Sequence, residues 1–312
     1  MSAGGGAGAA AVTAAGARRG TYSIVARDPE SGELGVAVQS HWFGVGGVVA
    51  WARAGVGAVA TQSVAEVAHG PNTLDRLQQG FTVEAALEVV LAGDELARFR
   101  QLGAVDAHDC VAAHTGVGCI PHAGEVTGEG FSCQANMMAA PGVPEAMAGA
   151  YRAHEGDLAE CLLAALDAAE AAGGDVRGRQ SAALLVVPGT GEAWRTRFDV
   201  RVEDHADPLA ELRRLTRLAR AYEMAAQADE LSAQSAHAEA ARLYLSAAEL
   251  APEADELLFW AGLGAAAEDL DAGLELVRRA AAVKSAWLVL LDRLSDDLAP
   301  TASAVREALR LS

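Results

Sequence analysis

Lysine is almost missing from this chain. Of its 24 basic residues only Lys284 is a lysine, so any mechanism that needs a catalytic lysine in the first two thirds is excluded. Basic charge is scarce altogether: 42 acidic residues leave a net charge of −18. Without a basic face, nucleic acid is not an expected partner. Cysteine is sparse too. Cys110, Cys119, Cys133 and Cys161, with no secretory signal, read as free thiols in a reducing compartment. No apolar run reaches the roughly 18 residues of a membrane span. Arg18 and Arg19 stand at the wrong end of an Ala/Gly-rich stretch for a signal peptide. The expected protein is cytoplasmic and touches no membrane.

Familiar site motifs are also missing. The glycine clusters at 44–47, 55–57 and 124–130 lack the Walker spacing with Lys and Ser/Thr, and no G-x-G-x-x-G opens a helix after the first strand. No G-x-S-x-G elbow occurs, which removes the α/β-hydrolase reading. His108, Cys110, His114, Cys119, His122 and Cys133 lie close together in sequence, but structural zinc sites pair ligands two to four residues apart, twice over. Cys119 and His122 form one such pair and no second follows. The expectation is no metal and no cofactor.

What is present is ample core material: 51% of residues are apolar and 21% charged, a globular balance. At 312 residues, one large domain or two modest ones are expected. The texture changes near residue 205. Before it, β-rich runs alternate with glycines, at 21–27, 34–39, 46–51, 57–62, 101–106, 111–115, 131–134, 181–187 and 198–202. Helical patterns fit 72–79, 83–92, 144–155 and 158–172. Thr82 is the N-cap and Gly93 the C′ residue of the second helix. Asp28 to Glu33, with Pro29 and Gly32, predicts a hairpin turn. Strands clustered in blocks between helix pairs suit two mainly antiparallel sheets covered by helices better than a doubly wound parallel sheet. After Pro208 the composition is helical. Residues 239–252 align with residues 271–284, a weak repeat that resembles tetratricopeptide units of about 34 residues; an alanine-rich bundle with chance periodicity is the competing reading. Phe259, Trp260 and Trp287 are its expected anchors.

One residue could carry chemistry without help from a histidine or lysine. Thr21 opens the first strand after Gly20, and a threonine with a free α-amine has its own general base. The competing reading is an ordinary strand residue. If alternation holds, Ser23 shares the face of Thr21, and Ser23 and Ser40 are reserve nucleophiles.

The residues at 21–28 (TYSIVARD), 34–40 (LGVAVQS), 51–62 (WARAGVGAVATQ), 128–132 (GEGFS) and 178–183 (GRQSAA) resemble the bacterial family called domain of unknown function 1028, over about residues 21–208. That family is grouped with the N-terminal-nucleophile hydrolase-like proteins. The resemblance implies an α+β fold, a four-layer αββα sandwich over residues 21–207. It also implies hydrolysis of an amide bond in a small or peptide-like substrate, with Thr21 in the nucleophile's place. Many relatives begin with Met directly before this threonine; here residues 1–20 precede it. Three readings stay open: a misplaced start, a cut after Gly20 that removes a disordered extension, or a Thr21 that is no nucleophile. Gln134 and Asn136 are candidate oxyanion donors, with a turn or capping role as the alternative. Arg179 is a candidate carboxylate clamp, with an ion pair to Asp175 or another acid as the alternative. Ser23, Ser40 and His41 complete the candidate substrate-binding set. A second function is compatible with the same residues, namely a catalytically silent scaffold whose helices from 208 to 312 recruit a protein partner or a second copy.

Overall fold

The computed structural model describes residues 20–234 and 236–311. The extension expected over 1–20 therefore lies, up to residue 19, outside the described residues. The described chain is mixed α+β, with two antiparallel sheets and a C-terminal helical region. It divides into two compact units, one through Arg213 and one from Arg214.

The first unit begins with β1 (Thr21–Arg27) and β2 (Leu34–Ser40), joined by the turn that the sequence predicts. Its mechanism is local: Asp28 Oδ2 accepts from the Ser31 amide at 3.1 Å, and Gly32 takes φ +74°. A short helix α1 (Gly46–Val49) then leads to β3 (Ala50–Arg53) and β4 (Gly57–Ser63). A strand is expected over 46–51, and here the structure differs. Val45 and Val49, four residues apart, are both fully buried, a helical spacing that so short a run does not distinguish from a strand. Helices α2 (His69–Gln78) and α3 (Val83–Ala92) follow, the latter capped by Thr82, whose side chain accepts from the Ala85 amide. Next come β5 (Arg100–Asp106), β6 (Val111–Thr115), β7 (Gly124–Gly128) and β8 (Phe131–Asn136). Strand β7 was legible only as a glycine cluster. Helices α4 (Val143–Ala153) and α5 (Leu158–Ala171) precede β9 (Ser181–Val187) and β10 (Phe198–Val202).

One sheet has the order β10-β9-β2-β1-β8-β7 and the other β3-β4-β5-β6. The sheets face one another through β1, β4, β5 and β8, with α4 and α5 on the outer face of the first and α2 and α3 on that of the second. Side chains between the sheets change character along the strands. At one end Val25, Val36, Val38, Ala58, Ala60 and Val105 form an apolar layer. At the other, where β1 starts and β2, β4 and β8 end, the inward residues are Thr21, Ser40, Gln62, Gln101 and Asn136, all buried. The sheets come closest near the middle: a Cβ on Gly103 would stand 2.1 Å from Gln134 Oε1.

The second unit consists of α7 (His237–Leu250), α8 (Asp255–Ala265), α9 (Leu270–Val283), α10 (Ala286–Leu291) and α11 (Ala302–Leu311), with the later part of α6 (Pro208–Ala233). Helix α8 packs between α7 and α9, and α10 and α11 both pack on α9. Alanines make most of this core, so helix axes approach closely; Gly262 and Gly273 leave no room for side chains where α8 meets α9. Phe259 is fully buried, stacks on Trp287 at 5.0 Å and meets Trp260 edge-on at 5.2 Å.

Gly103→Ala should force the sheets apart or displace Gln134, and overpacking of this kind costs about 1–3 kcal/mol. The expected result is a lower thermal midpoint with an unchanged far-ultraviolet circular dichroism spectrum at room temperature. An unaltered midpoint would mean that the two sheets yield locally.

Candidate functional site

Between the polar ends of the sheets the amide side chains are buried, and most of their polar atoms find hydrogen-bond partners there. Gln101 is the hub. Its Oε1 accepts from Gln62 Nε2 at 2.8 Å and from Asn136 Nδ2 at 3.0 Å. Its Nε2 donates to Thr115 Oγ1 at 2.8 Å, the Ala135 carbonyl at 2.9 Å and the Gly124 carbonyl at 3.1 Å. Gln62 accepts at Oε1 from Ser23 Oγ at 2.7 Å, and Ser23 Oγ accepts from Gln134 Nε2 at 2.9 Å. Ser132 Oγ donates to Gln134 Oε1 at 2.8 Å. The network ties β1, β4, β5, β6 and β8 together across both sheets.

Thr21 sits at the edge of this network and is fully buried. It lies between Ser40 of β2 and Asn136 of β8 in the ladder. Its Oγ1 donates to Ser40 Oγ at 3.1 Å, and Ser40 Oγ donates to the Gly20 carbonyl at 2.5 Å. The Thr21 carbonyl receives longer contacts from Gln62 Nε2 at 3.4 Å and Asn136 Nδ2 at 3.5 Å. Alternation places Ser23 on the face of Thr21, both turned toward the second sheet.

Five of the sequence-predicted residues, Thr21, Ser23, Ser40, Gln134 and Asn136, thus belong to one buried polar region. Gln134 and Asn136 lie on a strand rather than in a turn or cap. Their amide hydrogens go to Ser23, Gln101 and the Thr21 carbonyl, while Asn136 Oδ1 is buried with no hydrogen-bond partner among the described residues. Arg179 lies outside that region, paired with Glu170 at 3.4 Å and Asp207 at 3.2 Å. Glu170 also accepts from the Tyr22 hydroxyl at 2.7 Å, on the helix-facing side of β1. Burial, reinforced by the Glu170 carboxylate, pushes the Tyr22 phenol far above its usual range.

The arginine that reaches the start of β1 is Arg177, which sequence reasoning did not single out. Its Nη2 donates to the Gly20 carbonyl at 2.9 Å and to Asp175 Oδ2 at 2.8 Å. Asp175 is held further by the Arg177 amide at 2.9 Å and the His41 amide at 3.2 Å. His41 itself is half-buried, with Nδ1 3.3 Å from the Arg179 carbonyl oxygen. The signal available in the sequence was the Asp-Val-Arg spacing, which lets a carboxylate and a guanidinium close on each other across one residue.

Two clefts open in the first unit, one of them beside this region. One, about 530 Å³, is lined by residues including Thr115, Cys119, His122, Glu125 and Glu145; Thr115 connects its floor to Gln101. The other, about 520 Å³, has the His69–Asp94 pair in its wall. Burial alone would raise the Asp94 carboxyl, but hydrogen bonds from Arg100 and His69 outweigh it and hold it at about 2. Among the described residues no three His, Cys, Asp or Glu side chains converge as a metal site. His114 Nε2 instead meets the Ala97 carbonyl at 3.1 Å, and burial pushes the Cys119 and Cys133 thiols up.

Two outcomes follow from these pairings. Gln101→Leu should lower stability by at least about 2 kcal/mol in denaturant unfolding, because it strands several buried donors and acceptors at once. Asp94 ionises below its unfolded value of about 3.9. Its contribution, on the order of 2 kcal/mol, is therefore complete above pH 4 and lost as the pH falls toward 2. Asp94→Asn should flatten the fall in melting temperature across that window, and an identical pH profile would refute the assignment.

The model of a family of unknown function, domain of unknown function 1028, matches residues 21–212. Among solved structures, the crystal structure of a Silicibacter pomeroyi protein of the same family is 34% identical, with a TM-score of 0.59 over 63% of this chain and 84% of that one. No curated protein matches the chain. With more than half of its length matched by the family model, the chain belongs to the domain of unknown function 1028 family.

Proposed function

We propose that this protein is an N-terminal-nucleophile amide hydrolase acting on a small amide or peptide-like substrate, with Thr21 as the nucleophile. The observation that carries the reading is the position of the Thr21 hydroxyl. It heads the first strand, is shielded from solvent, and donates a hydrogen bond to Ser40 Oγ, which itself donates to the carbonyl of the preceding residue. The succession of helices, sheet, sheet and helices supports a four-layer N-terminal-nucleophile sandwich. Consecutive pairing of α7, α8 and α9 supports a tetratricopeptide-like tail. A cytoplasmic enzyme without a cofactor is the simplest setting for these parts.

While Gly20 is attached, the Thr21 nitrogen is an amide and cannot act as a base. The mechanism therefore requires removal of residues 1–20. The freed α-amine, with an ordinary pKa of about 7.7–8.0, takes the hydroxyl proton directly or through one water. The oxygen attacks the substrate carbonyl, the C–N bond breaks and the leaving amine takes up the proton. Water then hydrolyses the ester, with the same amine as base. Gln134 and Asn136 support this arrangement through Ser23 and the Thr21 carbonyl; an oxyanion role for either requires it to exchange its present bonds.

Full burial of Thr21 favours a second reading, a silent scaffold that keeps residues 1–20 and recruits a partner or a second copy through its helices. Intact mass and N-terminal sequencing of native protein separate the two. On the first reading the native chain begins at Thr21, Thr21→Ala abolishes hydrolysis of a screened amide, and Thr21→Ser retains part of it. An extended chain that hydrolyses the amide as fast as the trimmed one would rule out the α-amine as base.

A further inference from the structure

Gly20 is the last residue before β1 and is buried. Its carbonyl oxygen already has two donors, the Ser40 hydroxyl at 2.5 Å and Arg177 Nη2 at 2.9 Å. One donor is neutral and linked to the Thr21 hydroxyl; the other carries charge. That is the composition of a site for an acyl oxygen that turns negative during attack. The other side of Gly20 is closed. A Cβ built there would stand 2.7 Å from Asp175 Oδ2, 2.8 Å from Cγ and 2.8 Å from Oδ1. Asp175 cannot easily yield. Its side chain has no solvent exposure, Oδ1 accepts from the Arg177 amide and Nε at 2.9 and 3.1 Å, and Oδ2 accepts from Arg177 Nη2 and the His41 amide at 2.8 and 3.2 Å.

We infer that Ser40 and Arg177 are the oxyanion donors of the Thr21 nucleophile, and that Asp175 is the wall of its acyl subsite, restricting substrates to amides of acyl groups unbranched at the α-carbon, such as an N-acylated glycine. The inference rests on the Thr21 reading above and adds to it a substrate class and two residues, Asp175 and Arg177. In the extended chain Gly20 fills the subsite itself. Once it leaves, an acyl group of similar size takes the space beside the Thr21 hydroxyl. Its carbonyl oxygen meets the two donors as the Oγ1–C bond forms and the Oγ1 proton passes to the α-amine. The C–N bond then breaks with that proton on the leaving amine. Water cleaves the ester, releasing the N-acylglycine and restoring Thr21. A methyl group on the α-carbon meets the fixed carboxylate.

The full-length chain tests the wall without any catalysis. Gly20→Ala should lower the thermal midpoint, and most of that loss should vanish in an Asp175→Ala background; a neutral Gly20→Ala overturns the proposal whatever the enzyme does. The chain beginning at Thr21, checked for folding by circular dichroism, tests the chemistry. N-acetylglycine p-nitroanilide should be hydrolysed with a kcat/KM about tenfold or more above that of N-acetyl-L-alanine p-nitroanilide, the discrimination that one crowded methyl group can supply. Arg177→Gln should lower kcat for the glycine compound more than it raises KM. Equal rates for the two anilides, or acylation of Thr21 only by branched amides, would overturn the subsite while leaving the nucleophile standing. Absence of any adduct at Thr21 with any amide would overturn the nucleophile and the subsite together.

Discussion

A carboxamide sealed between two sheets must satisfy both its oxygen and its nitrogen or cost about 1–3 kcal/mol for each group left unpaired. Gln101 meets that requirement by accepting from Gln62 and Asn136 and donating to Thr115, Ala135 and Gly124. Those partners come from both sheets, so the pairing fixes how one sheet lies on the other. The apolar half of the same layer lacks this power. Valines and alanines such as Val25, Val36, Ala58 and Ala60 tolerate small slips because their contacts have no direction. Attraction comes from the apolar end and alignment from the polar end, a division in which a satisfied polar network specifies a unique packing.

The aligned end is also where strands stop and loops begin, and three of the four non-glycine residues at positive φ among the described residues lie there; the fourth, Asp109 at φ +65°, sits in the turn between β5 and β6 at the other end. Ser63 ends β4 at φ +71°, Met137 follows β8 at φ +60°, and His122 adopts φ +39°. None is a glycine, and each costs on the order of 1 kcal/mol or more in that region of conformational space. Two backbone bonds join two of these residues: the Met137 amide donates to the Ile120 carbonyl at 3.2 Å, and the Met138 amide to the His122 carbonyl at 3.4 Å. The rigid network, these three residues and the Thr21 hydroxyl occupy the same end of the strands, the end at which the proposed site lies.

How much of this was legible depended on the range of the interaction. The turn from Asp28 to Glu33 and the Thr82 cap of α3 act within a few residues, so composition and spacing were enough. The short helix α1 was not legible, because over four residues two valines fit either period. Thr21, Ser23, Ser40, Gln134 and Asn136 were marked by chemistry or resemblance, and the fold brings them to one region. Gln62 and Gln101 carry as much of that region, yet nothing local separates them from amides at the solvent end of a strand. Their meaning appears only when β4 and β5 face β1 and β8. A clue did exist: runs such as VAVQS, AVATQS and CQAN turn polar at the strand end that gathers around Thr21. For a similar reason nothing local shows that Arg177, rather than Arg179, reaches the start of β1. In an irregular loop two residues apart carries no facing rule, and only the Asp175 carboxylate decides which guanidinium turns inward.

In the proposed hydrolase the same bonds couple stability to catalysis. In the extended chain the Ser40 hydroxyl is placed at both ends, accepting from Thr21 and donating to Gly20. Removal of Gly20 takes away its acceptor in a site where Thr21, Ser40 and the side chain of Asp175 have no exposure. A buried donor without a partner is costly, and a carbonyl oxygen entering that position recovers the loss. Under the proposed mechanism, binding free energy comes from relieving a defect that cleavage after Gly20 creates, and it is directed at the oxygen that becomes negative rather than at remote parts of the ligand. Under that proposal Gly20 and the substrate compete for one set of donors, and the Asp175 carboxylate, which a Cβ on Gly20 would meet at 2.7 Å, leaves no room for a methyl group in the chain or in the acyl group.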